Sequence, residues 1–412
     1  MMAKLQNVRG TYDLYGDAKR KMKKVVATGS SVVEKYGFEE IETPIFEFTE
    51  VFSRNLGDTS DIVTKEMYCF QDRGGESLTL RPEGTAGVVR SFISEGMQQN
   101  LPVKLYYAGP MFRYERPQKG RQRQFTQFGV ELLGVETPQA DIEVISMAYE
   151  FVEALGLAGN VVVEINSLGD AESRDAYREK LVAYLREHYD ELSEDSKNRL
   201  EKNPLRVLDS KEECDKAVVA DAPLYKDSLN ETSAAFFASV LKGLDNLGIK
   251  YRVNNRLVRG LDYYSHTVFE LVTDKLGAQG TVLAGGRYDG LVEQMGGGKV
   301  AGIGWACGVE RLSMLLDEDV SLPRPVAVIP VGEDVNEEAV KIAYQLRRSG
   351  FRVEQGYSGN LKKRMIKANK ANAVKAVIIG SEELAQKVVT VKDLDSGEQK
   401  TVALDKIVEE LN

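Results

Sequence analysis

Histidine occurs only twice in these 412 residues, cysteine three times and tryptophan once. With only His188 and His266, a multi-histidine metal site or a serine–histidine triad has little material, and no protein metal site is expected. Cys69, Cys214 and Cys307 are odd in number and far apart, which argues against a disulfide framework or a zinc-type spacing. They read as small hydrophobes buried in a reducing cytoplasm. No apolar run approaches the ~20 residues that span a bilayer, and Met1 to Arg9 lacks the apolar core of a secretory signal. A cytoplasmic protein without a membrane partner is therefore expected. Two nucleotide motifs are missing as well. Gly298-Lys299 is followed by Val300 and lacks the upstream glycine of a P-loop, and no glycine-rich dinucleotide fingerprint follows a strand. Any ATP use must rest on an antiparallel sheet. The net charge of −9 argues weakly against nucleic-acid binding unless charge is unevenly spread.

At ~100–200 residues per domain, the length predicts two or three domains. Asp17 to Tyr36 reads as a helix, because Met22, Val25, Val26, Gly29, Val32, Val33 and Tyr36 fall on one stripe. Gly37 is its expected terminator. A strand over Glu40 to Ile45 carries Pro44, which belongs at a strand end or sheet edge. These two elements suit a dimer interface or a plain surface strand equally. Leu78 to Leu80 reads as a short strand, running through Arg81-Pro82-Glu83-Gly84-Thr85 into a helix over Ala86 to Glu95. Lys104 to Tyr107 is another strand, after which Gly109-Pro110 is expected to turn the chain into a hairpin. From about 170 to 250 the chain is charged and helix-prone, an insertion between two halves of a strand-rich core. Strands return at Tyr251 to Val253 and Thr267 to Val272. After Pro323 and Pro325, strands at Val326 to Val331, Phe351 to Val353 and Val374 to Ile379 alternate with helices at Asn336 to Arg348 and Asn360 to Asn369. Such alternation predicts a small parallel or mixed α/β domain. The expected architecture is thus an α+β core on an antiparallel sheet over 1–325, interrupted by a helical insertion at about 170–250, with an α/β domain over 326–412.

The segment Phe112 to Phe128 reads as an arginine-rich hairpin. Residues two apart in a strand share a face, so Arg113 and Glu115 share one, and Arg123, Phe125, Gln127, Gly129 and Glu131 share another. Gln124, Thr126, Phe128, Val130 and Leu132 face the opposite way. Arg116, Lys119 and Arg121 add cations in the loop. Arginine forks match phosphate oxygens, Phe125 can stack on a base, and Glu115 can accept from an exocyclic amine. Gly129 would clear space for a ligand. The same alternation also describes a sheet whose polar face simply meets water. Further along, Gly302 to Leu312 reads as a glycine-rich strand entering a helix. Arg311 falls in the first turn, where a cation opposes the helix dipole and suits an anion or a solvent-facing position. Arg259, Tyr263 and Tyr264 precede a strand and are weak signals alone. From Lys341 to Lys375 ten Lys/Arg stand against one acid, Glu354. That basic patch, with Lys362, Lys363, Arg364, Lys367 and Lys370 around one helix, fits phosphate-backbone contact or a solvated helix face.

Together these segments resemble class II aminoacyl-tRNA synthetases, and over nearly the whole chain the histidyl-tRNA synthetase family. The helix with the Pro44 strand looks like the dimer motif, Phe112-Arg113-Tyr114-Glu115-Arg116-Pro117 through Phe125 like the second class motif, and Gly302 to Leu312 like the third. Leu257-Val258-Arg259-Gly260-Leu261-Asp262-Tyr263-Tyr264 and Ala284-Gly285-Gly286-Arg287-Tyr288-Asp289-Gly290-Leu291 are similar to the two histidine-specific motifs, and Asn7-Val8-Arg9-Gly10 to the family's start. The resemblance implies a homodimer that activates L-histidine with ATP and Mg2+ to histidyl-adenylate, then transfers histidine to tRNA(His), with residues 326–412 as the anticodon-binding domain. It implies that Glu83, Thr85 and Gln127 hold the α-amino group. Glu131 and Tyr264 would bond the imidazole, with Tyr263 lining the pocket. Arg113 would bind the α-phosphate, Arg311 and Phe125 would sandwich adenine, and Glu115 would serve the base. Arg121 and Arg123 would meet the phosphate tail, and Arg259 would bridge carboxylate and α-phosphate. Two departures stand out: many family members carry an aromatic residue at the Gln122 position and histidine at the Thr126 position. The alternative is an inactive paralogue serving as a regulatory subunit of ATP phosphoribosyltransferase; the presence of Arg259 and of the basic domain speaks against it.

Overall fold

The computed structural model describes residues 4–54, 62–210, 212–259, 263–277, 280–317 and 319–411. Two compact units divide at Asp319 and Val320. The first is built on an eight-stranded sheet. Its strands run, in spatial order, Glu39–Glu40, Val103–Phe112, Gln124–Leu133, Gly302–Gly308, Thr281–Arg287, Ser265–Val272, Val162–Ser167 and Tyr251–Val253. All neighbouring pairs are antiparallel except those at the two edges. One sheet face is buried under the helices Gly16–Val33, Pro138–Ala154 and Glu231–Asn246, where Phe128, Val130, Leu132, Ile303 and Trp305 pack. The other face is left to the candidate site. Alternation explains this: Phe128, Val130 and Leu132 point to the helices, which sends Gln127 and Glu131 the opposite way.

Several expected elements take a different course. The first helix spans Gly16–Val33 and tightens into a 3-10 turn over Glu34–Tyr36, ending at Gly37 in the left-handed region, φ 78. The expected strand from Glu40 to Ile45 is broken: only Glu39–Glu40 pairs at the sheet edge, and pairing resumes at Phe46–Phe48 in a separate three-stranded sheet. Gly109-Pro110 does not turn the chain. The strand continues to Phe112, with Pro110 opposite Thr126. Thr126 gives its N–H to Glu310, at 2.9 and 3.0 Å, so the ladder asks nothing of the proline nitrogen. The loop then spans 113–123. Two of the cysteines, Cys69 and Cys214, are exposed, and only Cys307 is buried; none is in a disulfide.

The insertion carries the helices Ala171–Glu187, Glu194–Lys202, Glu213–Ala220 and Glu231–Asn246. The second unit has a five-stranded sheet in the order Val353–Gln355, Val326–Val331, Lys375–Gly380, Val388–Asp393, Gln399–Ala403. The first three strands are parallel and the last two form an antiparallel extension that the sequence pattern did not mark. On the helix Leu361–Lys370, Lys362, Lys363, Lys367 and Lys370 are exposed, whereas Arg364 turns inward to the Pro330 carbonyl. No described helix is long and apolar enough to cross a membrane.

Candidate active site

A cavity of about 510 Å³ opens on the free sheet face. Its inner end is made of buried carboxyls. Glu83 stands at the start of the helix Thr85–Ser94 and accepts from the amides of Thr85 and Ala86, both at 2.8 Å. These donors would otherwise lack partners at a helix start. Thr85 in turn donates its hydroxyl to Glu131 Oε1 at 2.7 Å. The second Glu131 oxygen, Oε2, accepts from the Tyr288 hydroxyl. Glu131 reaches this position because Gly304, opposite it on the neighbouring strand, has no Cβ to block the carboxylate. Likewise Gly302 admits the Tyr288 ring and Gly286 the Tyr264 ring. Burial pushes both carboxyls up; for Glu131 it outweighs the two hydroxyl bonds and holds the pKa at about 8. Tyr263 and Tyr264 close the wall with ring centroids 4.7 Å apart, and Tyr263 meets Tyr288 edge-on at 5.8 Å. Two desolvated carboxyls with few nearby cations invite a ligand that brings positive charge and N–H donors.

The outer end is cationic. Arg113 donates from Nε to the Pro82 carbonyl at 2.8 Å, and its guanidinium lies 5.3 Å from the Phe125 ring centre. Arg121 pairs with Glu115 at 3.3 Å. Arg311 donates to the carbonyls of Gly120, at 3.1 Å, and Thr281, at 2.6 Å. Burial, reinforced by Arg121, lowers the Arg311 pKa. Between the two ends sits Arg259. Burial works to lower its pKa, but the Glu270 carboxylate that it pairs with, together with Tyr264, reverses the shift. Glu270 is itself held by the Thr281 hydroxyl at 2.8 Å. The Arg259 guanidinium lies 5.7 Å from the Tyr264 ring centre, and its Nε is buried without a hydrogen-bond partner among the described residues.

Twelve of the thirteen expected site residues line this cavity: Glu83, Thr85, Arg113, Glu115, Arg121, Phe125, Gln127, Glu131, Arg259, Tyr263, Tyr264 and Arg311. Arg123 is the exception. Its amide bonds the Gly10 carbonyl at 2.8 Å and its guanidinium stacks 3.8 Å from the Tyr114 ring centre, so the opening segment of the chain holds it aside. Gly129 does not clear space for a ligand, because the Tyr107 ring fills the gap above it. Gln122 lines the cavity, whereas Thr126 faces away from it, toward a groove on the other side. Gly260, Leu261 and Asp262, part of one histidine-specific motif, lie outside the described residues. Arg287 of the other motif is wholly buried and structural, tied to Asp141, Asp289 and the Val135 and Thr137 carbonyls. Residue reasoning missed Tyr288, Glu270 and Thr281. Tyr288 lies inside the second histidine-specific motif, and Glu270 is the lone acid in an apolar strand.

The histidyl-tRNA synthetase family profile matches residues 10–312, and an anticodon binding domain profile matches 325–412. The chain belongs to the histidyl-tRNA synthetase family. It is 62% identical to the histidine–tRNA ligase of Rhodospirillum rubrum over 404 residues, covering 98% of this chain and 97% of that one. It is 55% identical to that of Gluconacetobacter diazotrophicus, covering 98% of each. Among solved structures, apo S. aureus histidyl-tRNA synthetase superposes with a TM-score of 0.81 at 37% identity, covering 99% of each chain. A Bacillus halodurans chain described as an ATP phosphoribosyltransferase regulatory subunit/histidyl-tRNA synthetase reaches a TM-score of 0.67 at 23% identity, covering 92% of this chain and all of that one, and shares the fold alone. The regulatory reading is thus less supported than membership among the histidyl-tRNA synthetases that act as ligases.

Proposed function

We propose that the cavity activates L-histidine with ATP and then passes the histidyl group to the 3′-terminal adenosine of tRNA(His), the reaction that makes this chain a histidine–tRNA ligase. The observation that carries the assignment of ends is the charge division: buried carboxyls at one end and arginines at the other. Glu83, with Thr85 and Gln127, suits the α-ammonium of histidine. Glu131 and Tyr264 suit the imidazole nitrogens, with Tyr263 against the ring. A site whose buried polar groups need partners rejects apolar side chains by roughly 10⁴–10⁵. In the other half, Phe125 and Arg311 suit the two faces of adenine and Glu115 its exocyclic amine. Arg113 suits the α-phosphate and Arg121 the phosphate tail.

The carboxylate oxygen of histidine attacks the α-phosphorus, the bond to the bridging oxygen breaks, and pyrophosphate leaves. No protein atom forms a covalent bond, so positioning and charge stabilisation carry the rate. Arg259, between the two ends, offsets the charge that gathers on carboxylate and α-phosphate. Mg2+ needs only one or two carboxylates beside phosphate oxygens; Glu270 in the cavity wall would be such a donor, and the ion would neutralise charge on the departing pyrophosphate. The terminal ribose hydroxyl of tRNA then attacks the acyl carbon and AMP leaves. The exposed lysines of Leu361–Lys370 and the exposed Tyr357 ring support RNA contact by the second unit. Exposed Phe46, Phe48 and Phe70 on the three-stranded sheet, and separately the groove along Gly16–Val33, are surfaces that support a homodimer. The cytoplasm suits three cysteines without disulfides. ATP–pyrophosphate exchange measured across the amino acids tests the central reading. Exchange with histidine is expected; exchange with another amino acid and none with histidine would sink it.

A further inference from the structure

The Tyr107 hydroxyl is a polar atom that the activation chemistry above does not use. Tyr107 is buried on the strand Val103–Phe112, opposite Gly129 and diagonal to Glu131, so it shares the face of Gln127 and Glu131. Its ring occupies a slot fitted to it. A Cβ at Gly129 would lie 2.5 Å from both Cζ and the hydroxyl oxygen, and one at Gly84 would strike the same end of the ring. The slot is therefore narrowest where the hydroxyl sits, beside Glu83 and Thr85. A phenylalanine would fill it equally well. Yet the hydroxyl is present and buried, and among the described residues it makes no hydrogen bond of good geometry, with only the Thr85 side chain in reach. An unmade bond of this kind is costly. Gln127 Oε1, on the same face, is also buried and without a partner. Two such atoms near the buried carboxyls Glu83 and Glu131 point to a polar network that a ligand with its own donors would complete.

We propose that Tyr107 is a positioning residue for histidine: its hydroxyl donates into the Glu83–Thr85–Glu131 group when the amino acid is bound. The inference rests on the reading of this end as the histidine site. Thr85 spends its one hydroxyl proton on Glu131, which leaves its oxygen free to accept from Tyr107. Such a bond would make Thr85 a better donor and favour the ionised Glu131 that a charged or N–H-bearing ligand prefers. The groups that face Tyr107 are Arg81 and Glu83 from the turn before Thr85–Ser94, Glu131 from the neighbouring strand, and Tyr264 and Tyr288 across the pocket. Burial first, then Glu131 and Glu83, push the phenol upward, so it stays protonated as a donor throughout the working range.

Tyr107→Phe in the full chain is the test, read by histidine-dependent ATP–pyrophosphate exchange from pH 6 to 9 alongside thermal unfolding. The expected result is a KM for histidine raised about three- to tenfold at pH 7, as the loss of one buried hydrogen bond between neutral groups predicts. The KM for ATP should stay unchanged, and the apparent pKa on kcat/KM for histidine should move upward. The folded state should be no less stable than the original. Unchanged histidine KM and pH profile would overturn the proposal and leave Tyr107 a packing residue. Equal rises in both KM values with a lowered melting temperature would overturn it too, as general damage to the fold. If the original protein activates a different amino acid, the reading of the site fails instead, and the exchange assay separates that outcome.

Discussion

At the scale of single residues, the site carries buried carboxyls whose charge is costly without a partner. Glu131 is the clearest case. Its pKa stands at about 8 in the folded state, against ~4.3 for an ordinary glutamate. A raised carboxyl penalises folding once the unfolded chain ionises, so the penalty is absent below about pH 4, grows above it, and is complete above about pH 8. Glu131→Gln keeps the shape and removes the titration. Its melting temperature should exceed the original by on the order of a few degrees at pH 8, with the gain shrinking as pH falls toward 5. Histidine activation should fall by about a hundredfold or more over the same range. A differential scan at several pH values, beside the exchange assay, measures both. Arg259 carries the opposite logic. Its Nη1 rests on Glu270 while Nε has no partner among the described residues, so its charge is held ready beside the carboxyl end. Arg259→Ala should slow adenylate formation about a hundredfold or more, as the loss of a transition-state charge partner does. A near-normal single-turnover rate would refute that role.

At the scale of elements, glycines decide which side chains reach the pocket. Gly304 lies where a Cβ would strike the Glu131 carboxylate and the Val130 carbonyl at once. Gly304→Ala should therefore cost about 1–3 kcal/mol and raise the KM for histidine at least tenfold. Gly159, in open space on the turn Ala158–Asn160, is the control; Gly159→Ala should leave both unchanged. This explains how far the sequence was legible. The period-two alternation of Gln124–Leu133 sorted Phe125, Gln127 and Glu131 from Phe128, Val130 and Leu132 because one sheet face is buried under helices and the other lines the cavity. Arg123 escaped the rule because it precedes the strand and answers to Gly10, over a hundred residues away. Gly109-Pro110 misled because turn propensity is local, whereas the strand is held straight by Arg81, which reaches Pro110 from another segment at 2.9 Å. Gly129 was read as ligand space because nothing local reveals that Tyr107 lies opposite. In each case the missing information was a partner distant in the chain.

At the scale of the whole molecule, the two units divide the chemistry from the expected RNA contact. Each has its own core: Val328, Ile342, Leu346, Val377 and Val389 belong to the second unit alone. Removing the chain from Pro325 onward should therefore spare histidine-dependent exchange while cutting tRNA charging by about a hundredfold or more. Truncation alone does not say which surface meets RNA. The exposed lysines at 362, 363, 367 and 370 supply that test in the full chain, because the helix is capped by Asn360, which accepts from the Lys363 amide at 3.0 Å, while Lys367 adds a contact to the Ser358 hydroxyl at 3.3 Å outside the helix. Replacing all four with glutamine should leave exchange intact. If they neutralise phosphates, tRNA affinity should fall, and the slope of log affinity against log salt should shrink by roughly 0.7–0.9 for each phosphate left without its lysine. A weakened affinity with an unchanged slope would mean that the helix acts through shape rather than charge. Unchanged affinity and slope would remove this helix from the RNA surface while leaving the catalytic reading of the first unit untouched.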